Sequence, residues 1–220
     1  AAQVHETLVN IAAVLDAAER ALLLAGQTKG RVALIVAETP ANPTSGLVDF
    51  ALLAEVSRVI GARQPGGRPP VAVDNTYLGP IFQQPLRHGV DLVMYSLTKY
   101  VGGHSDLVAG GVIGSREMVQ PVRALRSALG TQSDPHTAWM LLRSLETLSL
   151  RMERSAENAV RVATFLRDHP RVRHVNYLGF LPPSDPRNRV FRGQCLSAGS
   201  TFAFHVRGGE AEAFKVLDSL

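Results

Sequence analysis

Lys99 follows a mostly apolar segment, Val90 to Leu97, and the hydroxyls of Ser96 and Thr98 flank it closely in sequence. A second apolar run, Val71 to Val73, ends on Asp74, with Asn75 and Thr76 after it. Buried parallel strands read as such runs, and ligands of open α/β sheets collect outside the carboxyl ends of the strands. The pattern therefore directs an amine, a carboxylate and two hydroxyls toward one pocket. A lysine that can form a Schiff base, an acid to pair a pyridinium nitrogen and hydroxyls for a phosphate make up the donor set that pyridoxal phosphate requires. A third run, Val32 to Ala37, leads into Glu38-Thr39-Pro40-Ala41-Asn42-Pro43-Thr44. Taken singly, each residue has a plainer reading. Lys99 would be a solvated lysine, Asp74 a turn or helix cap, Ser96 and Thr98 caps of the next segment, and Asn42-Pro43 a turn starter.

The elements that must position these residues alternate as in a βαβ series. Ile11 to Ala25 reads as a helix ended by Gly26. Val32 to Ala37 reads as a buried strand, and Asp49 to Ile60 as a helix with Asp49 as N-cap and Gly61 as its stop. Pro65 to Pro70 is a loop. Strands are expected at Val71 to Asp74, Leu92 to Ser96 and Val108 to Gly114. Ser115 to Leu129 then reads as a helix that Pro121 should kink or whose start it should shift. Pro135 to Asp168 carries apolar residues at near-helical spacing; as one helix it would be about 50 Å long at 1.5 Å per residue and would bridge two domains. Its leucines read as core or interface residues. Val172 to Tyr177 and Ser200 to Val206 look like strands, and Glu210 to Leu220 like an amphipathic helix. Gly179 to Gly199, rich in proline and polar residues, reads as a surface excursion.

Composition narrows the function classes. A chain of 220 residues, 45% of them hydrophobic, can bury a sizeable core. Its formal charge is +4, with arginines spread along the chain instead of gathered in a basic tail, so nucleic-acid binding is not expected. No apolar stretch approaches the ~20 residues of a membrane helix, and the first residues lack the basic region of a signal peptide. The single cysteine, Cys195, cannot form an intramolecular disulfide, which suits the cytoplasm. It reads as a partly buried small residue and not as a nucleophile. The histidines are scattered, and no metal site is expected. A nucleotide-binding Rossmann reading fails because Gly102-Gly103 and Gly110-Gly111 lack the spacing of a Gly-x-Gly-x-x-Gly turn.

Four stretches carry a resemblance beyond these local readings: Glu38 to Gly46, Ala72 to Gly79, Asp91 to Gly111 with its core Lys99-Tyr100-Val101-Gly102-Gly103-His104-Ser105-Asp106, and Leu141 to Glu153. In that order and approximate spacing the chain resembles the trans-sulfuration enzymes of cysteine and methionine metabolism, which depend on pyridoxal 5'-phosphate. The resemblance implies an α/β fold of the aspartate-aminotransferase type (fold type I). A large domain with a mostly parallel sheet would occupy residues 1–150, and the start of a smaller α+β domain residues 151–220. It implies that Lys99 holds the cofactor as an internal aldimine and later shuttles protons, that Asp74 pairs with the ring nitrogen, and that Ser96 and Thr98 bind the phosphate. Asn42 would lie near the ring oxygen and the substrate carboxylate, and Glu38 would stand close by without a catalytic role.

The same resemblance implies γ-replacement or γ-elimination on sulfur amino acids or O-acylhomoserine through quinonoid intermediates. It also implies a homotetramer built as a dimer of dimers. Methionine γ-lyases tend to carry a lysine-aspartate pair shortly before the segment that here reads Asp134-Pro135-His136. This chain has Arg126-Ser127 there, which puts cystathionine γ-synthase or cystathionine γ-lyase ahead of methionine γ-lyase and O-acylhomoserine sulfhydrylase. A catalytically silent relative is the reading outside that class, and intact Lys99 and Asp74 weigh against it. The family's upstream phosphate loop, its ring-stacking aromatic residue and its later carboxylate-binding arginine have no counterpart in the matched stretches. The chain is therefore expected to be part of a longer enzyme, with an incomplete active site.

Overall fold

β-Branched and small apolar residues build the first sheet. The computed structural model of the chain describes residues 30–219, so the helix expected at Ile11 to Ala25 lies outside the described residues. Strands β1 (Ile35–Glu38), β2 (Val71–Asp74), β3 (Leu92–Ser96) and β4 (Gly110–Gly114) lie side by side in that order. The first three are parallel and β4 is antiparallel to β3. In register, Glu38 meets Asp74, Asp74 meets Met94, and Ser96 meets Gly110. Three parallel strands thus end together, and the β3–β4 connection that carries Lys99 starts from that shared end.

One face of this sheet is sealed by helix α1 (Phe50–Gly61). Asp49 caps it, its side chain accepting the N–H groups of Ala51 at 2.9 Å and Leu52 at 3.3 Å. Gly61, expected as the stop, is instead the last helical residue, and Ala62 follows as C-cap. Phe50, Leu53, Val56 and Ile60 fall at helical spacing and pack on Ile35, Ala37, Val71, Val73, Val93 and Tyr95. Each such side chain contributes roughly 1.5–3 kcal/mol by leaving water.

A short helix α2 (Gly79–Phe82) and a 3-10 turn (Pro85–His88) connect β2 to β3. Beyond β4, helix α3 (Arg116–Leu129) starts from the Ser115 cap with Pro121 inside it, so the proline does not shift the helix start. The segment expected as one long helix is two, α4 (Pro135–Leu145) and α5 (Leu148–Arg167), broken at Glu146 and Thr147. At the break the Ser144 carbonyl takes a guanidinium N–H from Arg151 at 2.8 Å, a donor from a side chain in place of the continuing helix.

Helix α5 contributes side chains to two further clusters. Leu148, Met152 and Ala156 of α5 join Leu47, Leu78, Phe82, Val101 and Leu178 in a second core. One to two turns on, Ala159 and Ala163 pack with Val172, Val175 and Tyr177 in a third. There β5 (Val172–Asn176) and β6 (Ala203–Val206) form an antiparallel pair, with helix α6 (Pro186–Gln194) between them in sequence and α7 (Glu210–Leu217) after them.

Residues 179–199 are a correction to the sequence reading. They hold helix α6 (Pro186–Gln194), with Asp185 as N-cap and a proline in its first turn. Gln194 is buried, accepting the Phe50 N–H at 3.2 Å and donating to the Val48 carbonyl at 2.7 Å. Its amide serves two backbone groups at the start of α1, while most of the segment's other polar residues are exposed.

Candidate active site

Glu38, Asp74 and Ser96 alternate with the core-facing residues Ala37, Val73 and Tyr95. They therefore stand on the sheet face turned away from α1. Asp74 Oδ1 accepts the Thr76 N–H at 3.0 Å and the Thr76 hydroxyl at 2.6 Å, and Thr76 Oγ1 accepts the Ser96 N–H at 2.8 Å. This relay ties the end of β2 to the end of β3. It leaves Asp74 Oδ2 and the Ser96 hydroxyl without a hydrogen-bond partner among the described residues.

Lys99 sits three residues past β3, on a turn its own backbone closes. Its N–H donates to the Ser96 carbonyl at 3.1 Å, and its carbonyl accepts the Gly103 N–H at 2.7 Å. The side chain is exposed, with no carboxylate in ion-pair distance among the described residues. It borders a cleft of about 1300 Å³ together with Tyr77, Thr98, Tyr100, Asp106 and Arg151. Thr98 is more committed than Ser96: its hydroxyl accepts the Ala109 N–H at 3.0 Å and donates to the Ala109 carbonyl at 3.2 Å.

Asn42 stands beside the cleft. Its Nδ2 donates to the Tyr77 hydroxyl at 3.0 Å, and its N–H donates to Glu38 Oε1 at 3.3 Å. Glu38 thereby shapes the loop that holds Asn42. Of the residues singled out from sequence, Lys99 and Thr98 line the cleft itself and Asn42 is bonded to its lining residue Tyr77, while Asp74 and Ser96 stand at the strand ends outside the lining, tied to each other through Thr76.

Tyr77 and Arg151 escaped the sequence reading. Tyr77 lies three residues beyond Asp74 in a matched stretch, which was the available signal. Arg151 lies in another matched stretch, and its role depends on a contact 51 residues distant. Its guanidinium pKa is pulled down by burial.

Behind the strand ends lies a buried polar group. Asn75 Nδ2 donates to the carbonyls of Gly79 and Gln83, each at 3.1 Å, and to the Tyr95 hydroxyl at 3.3 Å. Gln83 donates to the Cys195 sulfur at 3.2 Å. Burial pushes the Cys195 thiol up to about 12, against the lowering pull of Gln83, so the thiol stays protonated and inert. Among the described residues no three His, Cys, Asp or Glu side chains converge as a metal site would need, and no described helix is long and apolar enough to cross a membrane.

The chain is similar to proteins of known family. The sequence profile of the Cys/Met metabolism PLP-dependent enzymes matches residues 3–220. A cystathionine gamma-synthase of Mycobacterium tuberculosis is 39% identical over 184 residues, covering 83% of this chain and 45% of the relative. An L-methionine gamma-lyase of Pseudomonas putida is 38% identical over 189 residues, covering 85% of this chain and 45% of that enzyme. Among solved structures, cystathionine gamma synthase from Xanthomonas oryzae pv. oryzae, in complex with aminoacrylate and cysteine, superposes with a TM-score of 0.81. It is 33% identical, covering 94% of this chain and 50% of that one. The chain thus spans about half the length of these relatives.

Proposed function

The chain belongs to the Cys/Met metabolism PLP-dependent enzymes, α/β proteins of fold type I, and we propose that it carries the lysine side of an active site for γ-replacement or γ-elimination. The substrate class is a sulfur amino acid or an O-acylhomoserine. The observation that carries this reading is Lys99: an amine without an ion-pair partner among the described residues, on a closed turn at the end of a parallel strand, bordering a cleft. The donor set suits the family's cofactor, since it offers an amine and, among the described residues, a carboxylate with an unused oxygen and a hydroxyl without a protein partner.

Pyridoxal 5'-phosphate, when bound, supplies an electron sink for the substrate's α-carbon. Lys99 Nζ would hold it and then move the proton at that carbon. The Asp74 carboxylate would keep the ring nitrogen protonated, because an adjacent negative charge favours the charged form. Ser96 would bind the phosphate with its uncommitted hydroxyl, and Thr98 with the capacity Ala109 leaves. Asn42, held by Tyr77 and Glu38, would orient the substrate carboxylate.

Cystathionine γ-synthase or cystathionine γ-lyase chemistry is the preferred form, supported by Arg126-Ser127. Methionine γ-lyase and O-acylhomoserine sulfhydrylase chemistry are second; the similar identities to a synthase and to a methionine gamma-lyase favour neither. The further reading is a cytoplasmic homotetramer, a dimer of dimers, with the division between large and small domains at about Leu150. The exposed apolar side chains of Leu125, Leu129, Trp139 and Leu142 support a surface that other subunits cover.

The test is the visible absorption of the full-length protein with pyridoxal phosphate, followed by O-succinylhomoserine with and without cysteine. A lysine-linked band lost in Lys99→Ala and kept in Lys215→Ala, with cystathionine formed only when cysteine is present, is the expected synthase result. Release of 2-oxobutanoate from cystathionine without condensation would make it a lyase. No band with added cofactor would overturn the reading.

A further inference from the structure

The turn that bears Lys99 is clamped from outside its own sheet. Internally it is closed by the Gly102 N–H on the Leu97 carbonyl and the Gly103 N–H on the Lys99 carbonyl, each at 2.7 Å. The carbonyls of Tyr100 and Val101 point the other way, to α5. There Arg151 Nη1 donates to the Tyr100 carbonyl at 2.7 Å and Nη2 to the Val101 carbonyl at 3.3 Å. The same guanidinium reaches the Ser144 carbonyl at 2.8 Å and the Thr147 hydroxyl at 3.1 Å.

All four acceptors are uncharged. Arg151 has no carboxylate within ion-pair distance among the described residues. Its charge is met by carbonyl dipoles, one of them in the last turn of α4, where the helix dipole favours a cation. A planar fork with several fixed donors can bridge two helices and a turn at once, whereas an ammonium cannot. Gly103 makes the approach possible. It has a φ of +73°, and a Cβ there would lie 1.8 Å from Arg151 Nη1.

We propose that Arg151 is a positioning residue for Lys99: it locks the turn onto the α4–α5 break and so fixes where the amine stands in the cleft. The assignment rests on the reading of Lys99 as the cofactor-bearing lysine, and it concerns how that lysine is held.

The experiment compares full-length wild type with Arg151→Met, Arg151→Lys and Gly103→Ala. The first readout is amide hydrogen exchange in protein stripped of cofactor. Exchange at Gly102 and Gly103 is expected to rise roughly ten- to a hundredfold in Arg151→Met and Gly103→Ala, with Val73 and Val93 unchanged. Arg151→Lys should resemble Arg151→Met, because it restores the charge and not the fork. The second readout is the loaded enzyme, where the pH midpoint of the visible band should move and kcat should fall more than KM rises.

Wild-type exchange and an unmoved band midpoint in Arg151→Met would overturn the proposal. So would full rescue by Arg151→Lys, or a rise in exchange spread evenly over β1, β2 and β3, which would mark Arg151 as a general packing residue. Failure of the Lys99 reading is separate: it shows as a visible band that survives Lys99→Ala, whatever the exchange at Gly102 and Gly103.

Discussion

Asp91 holds the starts of β2 and β3 together, at the end of the strands opposite the candidate site. Its Oδ2 accepts Arg68 Nη1 at 2.8 Å and the Val71 N–H at 2.8 Å, and its Oδ1 accepts Arg68 Nη2 at 2.6 Å. The Arg68 side chain is 48% exposed and that of Asp91 16%. Solvent therefore screens the arginine more than the acid. An exposed ion pair is worth roughly 0.2–1 kcal/mol, and a backbone N–H on a charged acceptor roughly 1.5–3 kcal/mol. Asp91→Asn keeps an oxygen for Val71 and removes the charge, so the expected loss near neutral pH is about 1–2 kcal/mol.

The pH dependence gives this prediction its edge. Burial works to raise the Asp91 pKa, but the Arg68 hydrogen bonds, the Val71 N–H and the Arg68 charge outweigh it, and the carboxyl is held below the usual carboxylate range. In the unfolded chain it titrates near ~3.9. A depressed folded value means the stabilisation is fully present above the unfolded pKa and is lost as the pH falls through the folded one. Urea unfolding of both proteins at about pH 7 and about pH 3 should show the deficit at the higher pH and its shrinkage at the lower. A deficit of equal size at both, or none near neutrality, would refute the assignment of a charged latch.

Two further outcomes are expected. Gln194→Ala should cost about 1–3 kcal/mol in urea unfolding, because it strips partners from the buried Phe50 N–H and from the Val48 carbonyl; a wild-type midpoint would show that 179–199 is the surface excursion its composition suggests. Cys195, with its thiol pushed up to about 12, should react with an alkylating reagent at mildly alkaline pH at least about a hundredfold more slowly in the folded protein than after unfolding. Equal rates would place the thiol outside the core.

What the sequence alone determined was local or joined to a strong pattern. The runs Val71 to Asp74 and Leu92 to Ser96 became β2 and β3 with those bounds, and Asp49 became an N-cap, because continuous apolar character and capping chemistry act over a few residues. The family, its fold type and its cofactor were legible for a different reason: four matched stretches in order specify more than any one of them. Lys99 was legible as the residue to watch, because a lysine at the end of a buried strand combines two unlike requirements.

Only the tertiary structure decided the rest. The apolar spacing from Pro135 to Asp168 runs unbroken, yet the helix breaks at Glu146–Thr147, where the Ser144 carbonyl is served by Arg151. Within the polar segment 179–199, Gln194 is buried because it meets two backbone groups near position 49, over 140 residues away. Asn42 is joined to the cleft through Tyr77, and Arg151 to the lysine turn through the carbonyls of Tyr100 and Val101. Hydrogen bonds of this kind are between groups brought together by the packing of whole elements, and no periodicity along the chain encodes which carbonyl a distant guanidinium will find.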